Sequence, residues 1–491
     1  METVLHIYHP KRQLLLLEYA NKGSSSSTNA NANISSQPLA QSTSTAPTNV
    51  LLFVGGMYDV FRSPSYIEDL AALFPRDIPG QKWRVMHVQL SSSGKCFGLY
   101  DLDRDVDEIS IAITFIRTQI THSPTSPIVL MGHSTGCQDL LHYLVSPIKT
   151  SSGDRPTISG AIFQAPVSDR EALLLDMSTD PATRQSYETC LAIAESTPPE
   201  HHKTTILPLH FSRQCMGPAP LTVSRFLSLA SPGSPDNPGM DDYFSSDLSD
   251  TRLLDTFGRI GLAKHLHGTS TDNKKIVLFL PSGSDEHVPP SIDKSLLLAR
   301  WKRAVETDAQ ASLSPHSKVV KNALHDISGE SVDARTARLI DMRGSVLRYL
   351  HDVVGDVGYG GHDEHSPWAI YERDGAAIEA ERAGAGGTGS GSVPQYSILL
   401  YSRPPHPQPI APPLKQHIGQ LSRVFESTTK TRTTTTSTTT GAVPTTSNKT
   451  FHNHVDILIL VFIRLWTSFH MSHFVRHNTT GFPAIIRIRT A

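Results

Sequence analysis

Cysteine is scarce in this chain, and charge of neither sign predominates. The 491 residues include four cysteines, Cys96, Cys137, Cys190 and Cys215. They are too few for a disulfide scaffold and lack the CxxC spacing of a zinc site or redox pair. Lys and Arg number 44 and Asp and Glu 46, giving a net charge of −2. Because neither a basic surface nor an acidic block is present, neither a nucleic-acid partner nor an acidic solvating tail is expected.

Long hydrophobic runs are also missing. Leu14 to Leu17 is shorter than the ~7–15 residues of a signal-peptide core, and it predicts instead two short strands around the turn at 9–12. Residues 455–466 are apolar but contain Asp456 and Arg464, and they are fewer than the ~20 residues of a membrane helix. Stable membrane insertion is therefore not expected, and the expected localisation is cytoplasmic.

Composition divides the chain into one folded module and two low-complexity parts. Residues 21–48 are rich in Ser, Asn, Thr and Gln, which predicts a disordered insertion because such a segment buries too little apolar surface to fold. Residues 353–491 pass through Gly/Ala-rich, Pro-rich and Thr-rich stretches, which predicts an unstructured tail. The folded module is expected to span residues 1–352.

Within the module, strand-like and helix-like segments alternate. Short apolar runs predict strands at 50–54, 83–90, 127–131, 158–163, 275–280 and 318–324. Helical spacing predicts helices at 66–74, 106–120 and 137–145. This alternation favours βαβ units, hence a mostly parallel sheet with helices on both faces. The alternation breaks at 168–267, which predicts a mainly helical cap inserted above the sheet.

The run Gly132-His133-Ser134-Thr135-Gly136 carries the sharpest chemical signal. It is a G-x-S-x-G motif that directly follows one predicted strand and precedes a predicted helix, which is the setting of a nucleophile elbow. Small residues are needed on both sides of the serine because the turn is strained and tightly packed. The motif predicts Ser134 as a nucleophile above the carboxyl edge of the sheet.

A serine nucleophile needs a histidine base and an acid that holds the histidine. In the expected order Ser, acid, His, each partner follows a later strand. Asp285 follows the strand predicted at 275–280, with Glu286 as its nearest rival. His325 directly follows the strand predicted at 318–324, with His287 and His316 as competitors. We therefore predict Asp285 and His325 as the partners of Ser134.

Acyl transfer also needs N–H donors for the developing oxyanion. One is predicted to be the backbone N–H of Thr135, the residue after the nucleophile. The other is predicted in the loop after the strand at 50–54, where Gly55 and Gly56 let the backbone approach a substrate. Met57 is the preferred donor there, and Gly56 is the alternate.

Two other patterns do not support a site. Residues 384–389 fit G-x-G-x-x-G, but no strand precedes them, so a dinucleotide site is not predicted. The histidine pairs at 362/365, 452/454 and 470/473 lack an HExxH motif and lie in the predicted tail. Neither an organic cofactor nor a metal is therefore expected.

Five segments together resemble one known family. They are LLFVGGMYD (51–59), GHSTGCQD (132–139), FQAPVSDR (163–170), SGSDEHVP (282–289) and ALHDIS (323–328). They are similar to the fungal α/β-hydrolase family of DUF1749/UPF0613 proteins, whose best-understood members resemble esterases of fusarinine-type trilactone siderophores. The resemblance covers about residues 1–352, without the Ser/Asn-rich insertion and the tail.

This resemblance implies an α/β-hydrolase fold, to which the composition and patterning described above add a helical cap and a disordered C-terminal tail. It implies Ser134, Asp285 and His325 as the catalytic triad, and a small-molecule ester as the substrate. It also implies intracellular hydrolysis of hydroxamate-ornithine esters, which releases iron after uptake.

Two alternatives stay open on the residues alone. One is an acyltransferase or thioesterase of fungal secondary-metabolite biosynthesis, and the other is a non-catalytic binding protein of the same fold. In the predicted cap, Arg170, Arg184 and Arg213 are candidate contacts for an anionic group, although a solvated surface is the favoured interpretation. The sequence predicts no oligomeric state.

Overall fold

The computed structural model describes residues 2–20, 48–73, 77–78, 81–147, 150, 153–268, 273–328 and 331–354, and the backbone of 485–488. All of these residues belong to one compact unit. The predicted insertion at 21–48 lies outside the described residues, apart from Thr48.

Ten strands of the described chain form one sheet. They are β1 (Glu2–His9), β2 (Leu14–Ala20), β3 (Thr48–Val54), β4 (Asp77–Ile78), β5 (Gln81–Val88), β6 (Ile128–His133), β7 (Gly160–Gln164), β8 (Lys275–Leu280), β9 (Ala311–Leu313) and β10 (Ile485–Ile488). Their order is β10-β1-β2-β5-β3-β6-β7-β8-β9, with β4 paired to β5. The strands from β5 to β9 in this order are parallel, whereas β1, β2, β4 and β10 form antiparallel pairs. The parallel strands therefore bring their carboxyl ends to one edge.

Helices connect and cover the parallel strands. The α-helices of the described residues are α1 (Tyr66–Leu73), α2 (Leu102–Phe115), α3 (Gly136–Val145), α4 (Asp169–Thr179), α5 (Pro181–Ser196), α6 (Leu209–Met216), α7 (Val223–Ala230), α8 (Asp250–Thr256), α9 (Lys294–Val305) and α10 (Val332–Val354). No helix in the described parts of the chain is long and apolar enough to cross a membrane.

Strand β3 shows why the central strands are continuously apolar. Val50, Leu52 and Val54 point to one face of the sheet and pack in the same cluster as side chains of α2, α3 and α9. Leu51 and Phe53 point to the opposite face and pack with α1 and α10. All five side chains are completely buried. Because both faces are covered, neither set of alternating positions needs to be polar.

Residues 168–267 contain the five helices α4 to α8, as the sequence predicted for this stretch. Side chains of α4 to α7 form a separate apolar cluster that also includes Phe97, with Met57 and Tyr58 packed against it. The Tyr58 hydroxyl donates to the Met216 carbonyl oxygen at 2.9 Å. The helical region is thus in direct contact with the loop that follows β3.

The prediction of a strand at 318–324 is wrong. The last parallel strand is β9, and 318–324 form a loop joined to the loop after β8: Val320 N–H donates to the Pro281 carbonyl at 2.8 Å, and Gly283 N–H to the Val320 carbonyl at 2.9 Å. Asn322 has a φ of 56°, which is incompatible with a regular strand. The apolar pattern instead reflects burial of Val320 and Ala323 in the cluster that contains α10.

Regular structure is also present at the N-terminus and within the segment predicted as a tail. The predicted N-terminal hairpin is confirmed, because β1 and β2 pair antiparallel across the turn that follows His9. Within the segment predicted as a tail, α10 extends to Val354, and β10 pairs with β1, with Thr3 opposite Ile488. The rest of 353–491 lies outside the described residues.

Candidate active site

Ser134 occupies a strained turn between β6 and α3. Strand β6 ends at His133, α3 begins at Gly136, and Ser134 has a φ of 56°, a left-handed conformation that side chains other than Gly rarely adopt. A Cβ atom on Gly136 would lie 2.5 Å from the Val54 carbonyl oxygen, and one on Gly132 would lie 2.9 Å from the Cys137 nitrogen. Both glycines are therefore required sterically, and the predicted strand–turn–helix arrangement is present.

Asp285 and His325 meet through a buried hydrogen bond. His325 Nδ1 donates to Asp285 Oδ2 at 2.8 Å, and the Asp285 side chain is 1% exposed. The two loops that carry them are tied together, because Ser284 N–H donates to the Ala323 carbonyl at 2.8 Å. His325 therefore directly follows a loop, residues 318–324, and not a strand.

The rival residues have different contacts. Glu286 is exposed and accepts a hydrogen bond at 2.9 Å from the backbone N–H of His325, so it contacts the main chain and not the ring. The exposed His287 ring packs edge-on against His325 with centroids 4.7 Å apart. His316 pairs with Asp352 at 3.1 Å. Of the two candidate carboxylates, Asp285 is the one bonded to the imidazole of His325.

The imidazole of His325 lies beside the nucleophile turn. Its ring centroid is 4.8 Å from that of His133, the residue before Ser134. Among the described residues, no hydrogen bond joins the Ser134 hydroxyl to His325. The structure therefore contains the Asp285–His325 hydrogen bond of the predicted triad but not the hydrogen bond between His325 and Ser134. Catalytic hydrogen bonds are often long until a substrate is bound.

Charges around these two histidines set opposite protonation preferences. Burial opposes protonation of His325, but the hydrogen bond and charge of Asp285 outweigh it and raise the pKa of His325 above its usual value. For His133, burial and the neighbouring His325 lower the pKa to about 4. A proton shared within this pair therefore resides on His325, and His133 stays neutral near pH 7.

The loop after β3 presents its backbone to Ser134. A Cβ atom on Gly56 would lie 2.6 Å from Ser134 Cβ and 3.2 Å from its Oγ. The Gly56 N–H is already donated to Asp59 Oδ2 at 2.7 Å. Among the described residues, the N–H groups of Met57 and Thr135 have no hydrogen-bond partner. Of the two predicted donors in this loop, Met57 is therefore the one with an available N–H.

A buried polar cluster beneath the turn was not predicted from the sequence. Gln164 ends β7 and is completely buried. Its Oε1 accepts from His133 Nδ1 at 2.6 Å and from the Tyr66 hydroxyl at 2.7 Å, and its carbonyl accepts from Ser134 N–H at 3.2 Å. It therefore fixes the orientation of the turn. The available signal was a polar residue at the carboxyl end of an apolar strand.

Two cavities lie near this edge of the sheet. The larger, about 500 Å³, is lined by residues of α2 and α7 and by Lys203, and none of the three predicted triad residues borders it. The smaller, about 20 Å³, is bordered by Gly56 and Thr135. Within the described residues, no group of three or more His, Cys, Asp or Glu side chains is placed to hold a metal ion.

The arginines of the helical region have contacts typical of a protein surface. Arg170 forms an ion pair with Asp247 at 2.7 Å. Arg184 and Arg213 are exposed, and Arg184 donates to the Met177 carbonyl at 3.1 Å. None of the three borders either cavity.

Comparison with known proteins gives consistent results. The model of a family described as protein of unknown function (DUF1749) matches residues 23–350. Fusarinine C esterase sidJ of Aspergillus fumigatus is 39% identical over 339 residues, which cover 64% of this chain and 91% of that protein. An esterase of Emericella nidulans is 36% identical over 339 residues, covering 63% of this chain and 87% of that protein. The solved structure of siderophore hydrolase EstB from Aspergillus fumigatus is 33% identical, with a TM-score of 0.57, and the match covers 72% of this chain and 97% of that chain.

The relatives named for an activity are esterases or hydrolases, which supports a hydrolase function for this chain. The parallel sheet, the flanking helices and the turn at Ser134 are shared features of one architecture. The chain belongs to the DUF1749 family and has the α/β-hydrolase fold.

Proposed function

We propose that this protein is a serine esterase in which Ser134 is the nucleophile, His325 the general base and Asp285 the residue that orients the imidazole. The observation that carries the proposal is the 2.8 Å hydrogen bond from His325 Nδ1 to Asp285, formed beside the strained turn that holds Ser134. Because Nδ1 donates to the carboxylate, Nε2 is left as the acceptor for the serine proton.

The reaction then proceeds in two halves. Ser134 Oγ attacks the ester carbonyl while His325 takes its proton, and the carbonyl oxygen becomes an oxyanion held by the N–H groups of Met57 and Thr135. The tetrahedral intermediate collapses, and the leaving alcohol takes the proton from His325. A water molecule, deprotonated by His325, then attacks the acyl-enzyme; the bond to Ser134 Oγ breaks, His325 returns the proton to Ser134, and the acid is released. Asp285 stabilises the imidazolium during both halves.

We further propose that residues 168–267 act as a cap that contributes to substrate selection. Tyr58 adjoins Met57 and donates to the carbonyl of Met216 at the end of α6. Met57 itself packs against the apolar cluster of α4 to α7. The proposed oxyanion donor and the helical region are thus in contact, so the position of α6 affects the binding of the ester.

The proposed substrate is a fusarinine-type hydroxamate siderophore. Two relatives support it: one is called a fusarinine C esterase and one a siderophore hydrolase. Hydrolysis of the ester links inside the cell would open the ligand and release its iron, so the proposed site of action is cytoplasmic.

The decisive test of the mechanism is Ser134→Ala. We expect kcat for a simple acyl ester to fall to the level of the uncatalysed reaction plus whatever the oxyanion hole retains, about 10⁴-fold or more below wild type. The melting temperature should change little because only one hydroxyl is removed. Ser126→Ala is the matched control, since Ser126 is also a buried serine next to β6. Wild-type turnover by the Ser134→Ala protein would refute the proposal.

The substrate is tested separately. Purified protein should hydrolyse iron-free or ferric trilactone siderophores with a higher kcat/KM than simple acyl esters, as followed by mass spectrometry of the opened products. Hydrolysis of simple esters without any siderophore cleavage would refute the substrate and leave the mechanism. Transfer of the acyl group to an added alcohol or amine in preference to water would instead support the acyltransferase alternative.

A further inference from the structure

Asp59 closes the loop that follows β3 through both its main chain and its side chain. Its N–H donates to the Gly56 carbonyl oxygen at 3.0 Å, and its Oδ2 accepts from the Gly56 N–H at 2.7 Å. Tyr58, which lies between them, has a φ of 68°. A bond from residue i+3 back to residue i with a positive φ at i+2 is typical of a type II turn. Met57 and Tyr58 therefore form the centre of a tight turn whose two ends are joined twice through Asp59.

The remaining polar groups of Asp59 are bonded to other parts of the chain. Its Oδ1 accepts from the Ser63 hydroxyl at 2.6 Å, and its carbonyl oxygen accepts from the Gly94 N–H at 2.9 Å. Its side chain is 12% exposed and packs closely on Gly55, where an added Cβ would lie 2.7 Å from Asp59 Cβ. Hydrogen bonds to a carboxylate are about twice as strong as neutral ones. The carboxylate is therefore held firmly from two directions.

The turn presents two neighbouring N–H groups beside the nucleophile, and Asp59 distinguishes them. The Gly56 N–H is taken by the carboxylate, whereas the Met57 N–H has no hydrogen-bond partner among the described residues. A Cβ atom on Gly56 would lie 3.2 Å from Ser134 Oγ, so the start of the turn packs directly on the nucleophile. The side chain of Asp59 thus occupies one donor and leaves the next one available at the same place.

Asp59 is close to the active-site histidines without replacing Asp285. Its Oδ2 lies 4.0 Å from His133 Nε2. Within the part of the chain that the structure describes, no hydrogen bond joins Asp59 to His325, whose Nδ1 donates to Asp285 at 2.8 Å. The contacts of Asp59 are instead with the main chain and with the serine hydroxyl described above. Its role is therefore to be sought in the loop and not in the imidazole.

We propose that Asp59 is a positioning residue for the oxyanion hole: its carboxylate holds the turn at 56–59 so that the Met57 N–H faces the carbonyl oxygen of an ester bound at Ser134. The inference rests on the proposed function, because it needs Met57 as an oxyanion donor. Such donors lower the barrier when they are already directed at the oxygen before its charge develops. Without the carboxylate the turn loses one of the two bonds that join its ends, and the Met57 N–H loses its fixed direction.

The test compares Asp59→Ala and Asp59→Asn in the hydrolysis of a simple acyl ester. Loss of one oxyanion donor costs about 10²–10³-fold in kcat, so we expect kcat of Asp59→Ala to fall by about 10²-fold. KM should stay within about threefold of wild type, because the interaction is made in the transition state. In Asp59→Asn the amide oxygen can accept from the Gly56 N–H and the amide nitrogen can donate to Ser63 Oγ. This variant should therefore recover kcat to within about tenfold of wild type.

Asp293→Ala is the matched control. Asp293 Oδ1 accepts from the N–H groups of Ser295 and Leu296 at 2.9 and 3.0 Å at the start of α9, so its loss also removes a carboxylate that binds the main chain. This variant should keep wild-type kcat. Three results would overturn the inference and leave the esterase proposal: kcat of Asp59→Ala within about threefold of wild type, no recovery in Asp59→Asn, or an equal loss in Asp293→Ala. Wild-type turnover by Ser134→Ala would overturn the proposed function, and the inference with it.

Ser63→Ala covers the case in which Asp59→Ala does not fold. It removes one of the two side-chain hydrogen bonds of Asp59 and leaves the bond to Gly56. Because one hydrogen bond contributes about 0.5–1.5 kcal/mol, we expect kcat to fall by about fivefold with KM unchanged. A trifluoromethyl ketone forms a tetrahedral adduct with a catalytic serine and places an oxyanion in the hole, so it should bind about fivefold more weakly as well. Wild-type values of both kcat and the inhibition constant would overturn the inference.

Discussion

Gly56→Ala should reduce catalysis by displacing the nucleophile itself. The added Cβ would lie 2.6 Å from Ser134 Cβ and 2.9 Å from the His133 carbonyl oxygen. Gly56 is not among the residues with positive φ, so alanine is acceptable to its backbone and the effect is a steric one. Hydrogen bonds resist displacement of the loop after β3. The Gly56 N–H donates to the Asp59 carboxylate, which also accepts from the Ser63 hydroxyl at 2.6 Å.

The size of the effect follows from the overlap. Ordinary van der Waals contact begins at 3.4 Å, so the 2.6 Å separation requires a shift of about 0.8 Å between the loop and Ser134. A misplacement of about 1 Å at a reacting group costs about 10²-fold in rate. Overpacking of this kind costs about 1–3 kcal/mol of stability. We therefore expect kcat/KM to fall by about 10²-fold while the protein remains folded.

The assay is hydrolysis of a simple acyl ester by purified protein, together with thermal unfolding. Gly258→Ala serves as the control: the nearest atom to its added Cβ is the Ala304 carbonyl oxygen at 3.3 Å, and its other close neighbours belong to Leu254, so none of its three nearest atoms belongs to the predicted triad. It should retain wild-type kcat/KM. If Gly56→Ala retained kcat/KM within about threefold of wild type, the close packing of this loop on Ser134 would not matter to catalysis and the reasoning would be refuted.

Two further predictions concern buried histidines. In Asp285→Asn, kcat/KM should fall by up to about 10⁴-fold. The rising limb of the plot of kcat/KM against pH should also move to lower pH, because Asp285 raises the pKa of His325 against the effect of burial. A rising limb at the wild-type pH would contradict this prediction. Burial lowers the pKa of His87 to about 3, so the unfolded chain binds a proton below about pH 6.5 that the folded chain excludes. Wild-type stability should therefore fall as pH drops from about 6.5 towards 3, and His87→Leu should lose less between about pH 7 and pH 4.5, as measured by urea unfolding; equal losses would show that His87 does not contribute.

The turn at Ser134 could be predicted from the sequence because its motif is local. Gly132, Ser134 and Gly136 sit between an apolar run and an amphipathic segment. Gly132 is constrained by atoms of Gly136 and Cys137 within the turn, whereas the steric demand on Gly136 comes from Val54 and Gly55, which are distant in the chain. The same holds for the N-terminal hairpin and for the central strands, whose unbroken apolar runs reflect burial on both faces.

The position of His325 could be predicted only in part. Its proximity to Asp285 was expected, but for a reason that the structure corrects: residues 318–324 are a loop, not a strand. Their apolar alternation arises from packing against α10 and from bonds to the loop after β8. Periodicity alone does not distinguish such burial from strand pairing.

Contacts between distant segments could not be predicted from the sequence. Nothing local indicates that Asp105 of α2, Asp139 of α3 and Arg225 of α7 share one buried cavity, or that Gln164 supports the turn from the neighbouring strand. The sequence by itself determined the elements and the nucleophile turn, because backbone sterics and hydrophobic periodicity act over a few residues. Only the tertiary structure decided which carboxylate meets His325, which backbone N–H is available, and which acids are buried together, because these depend on helices and loops packing from separate parts of the chain.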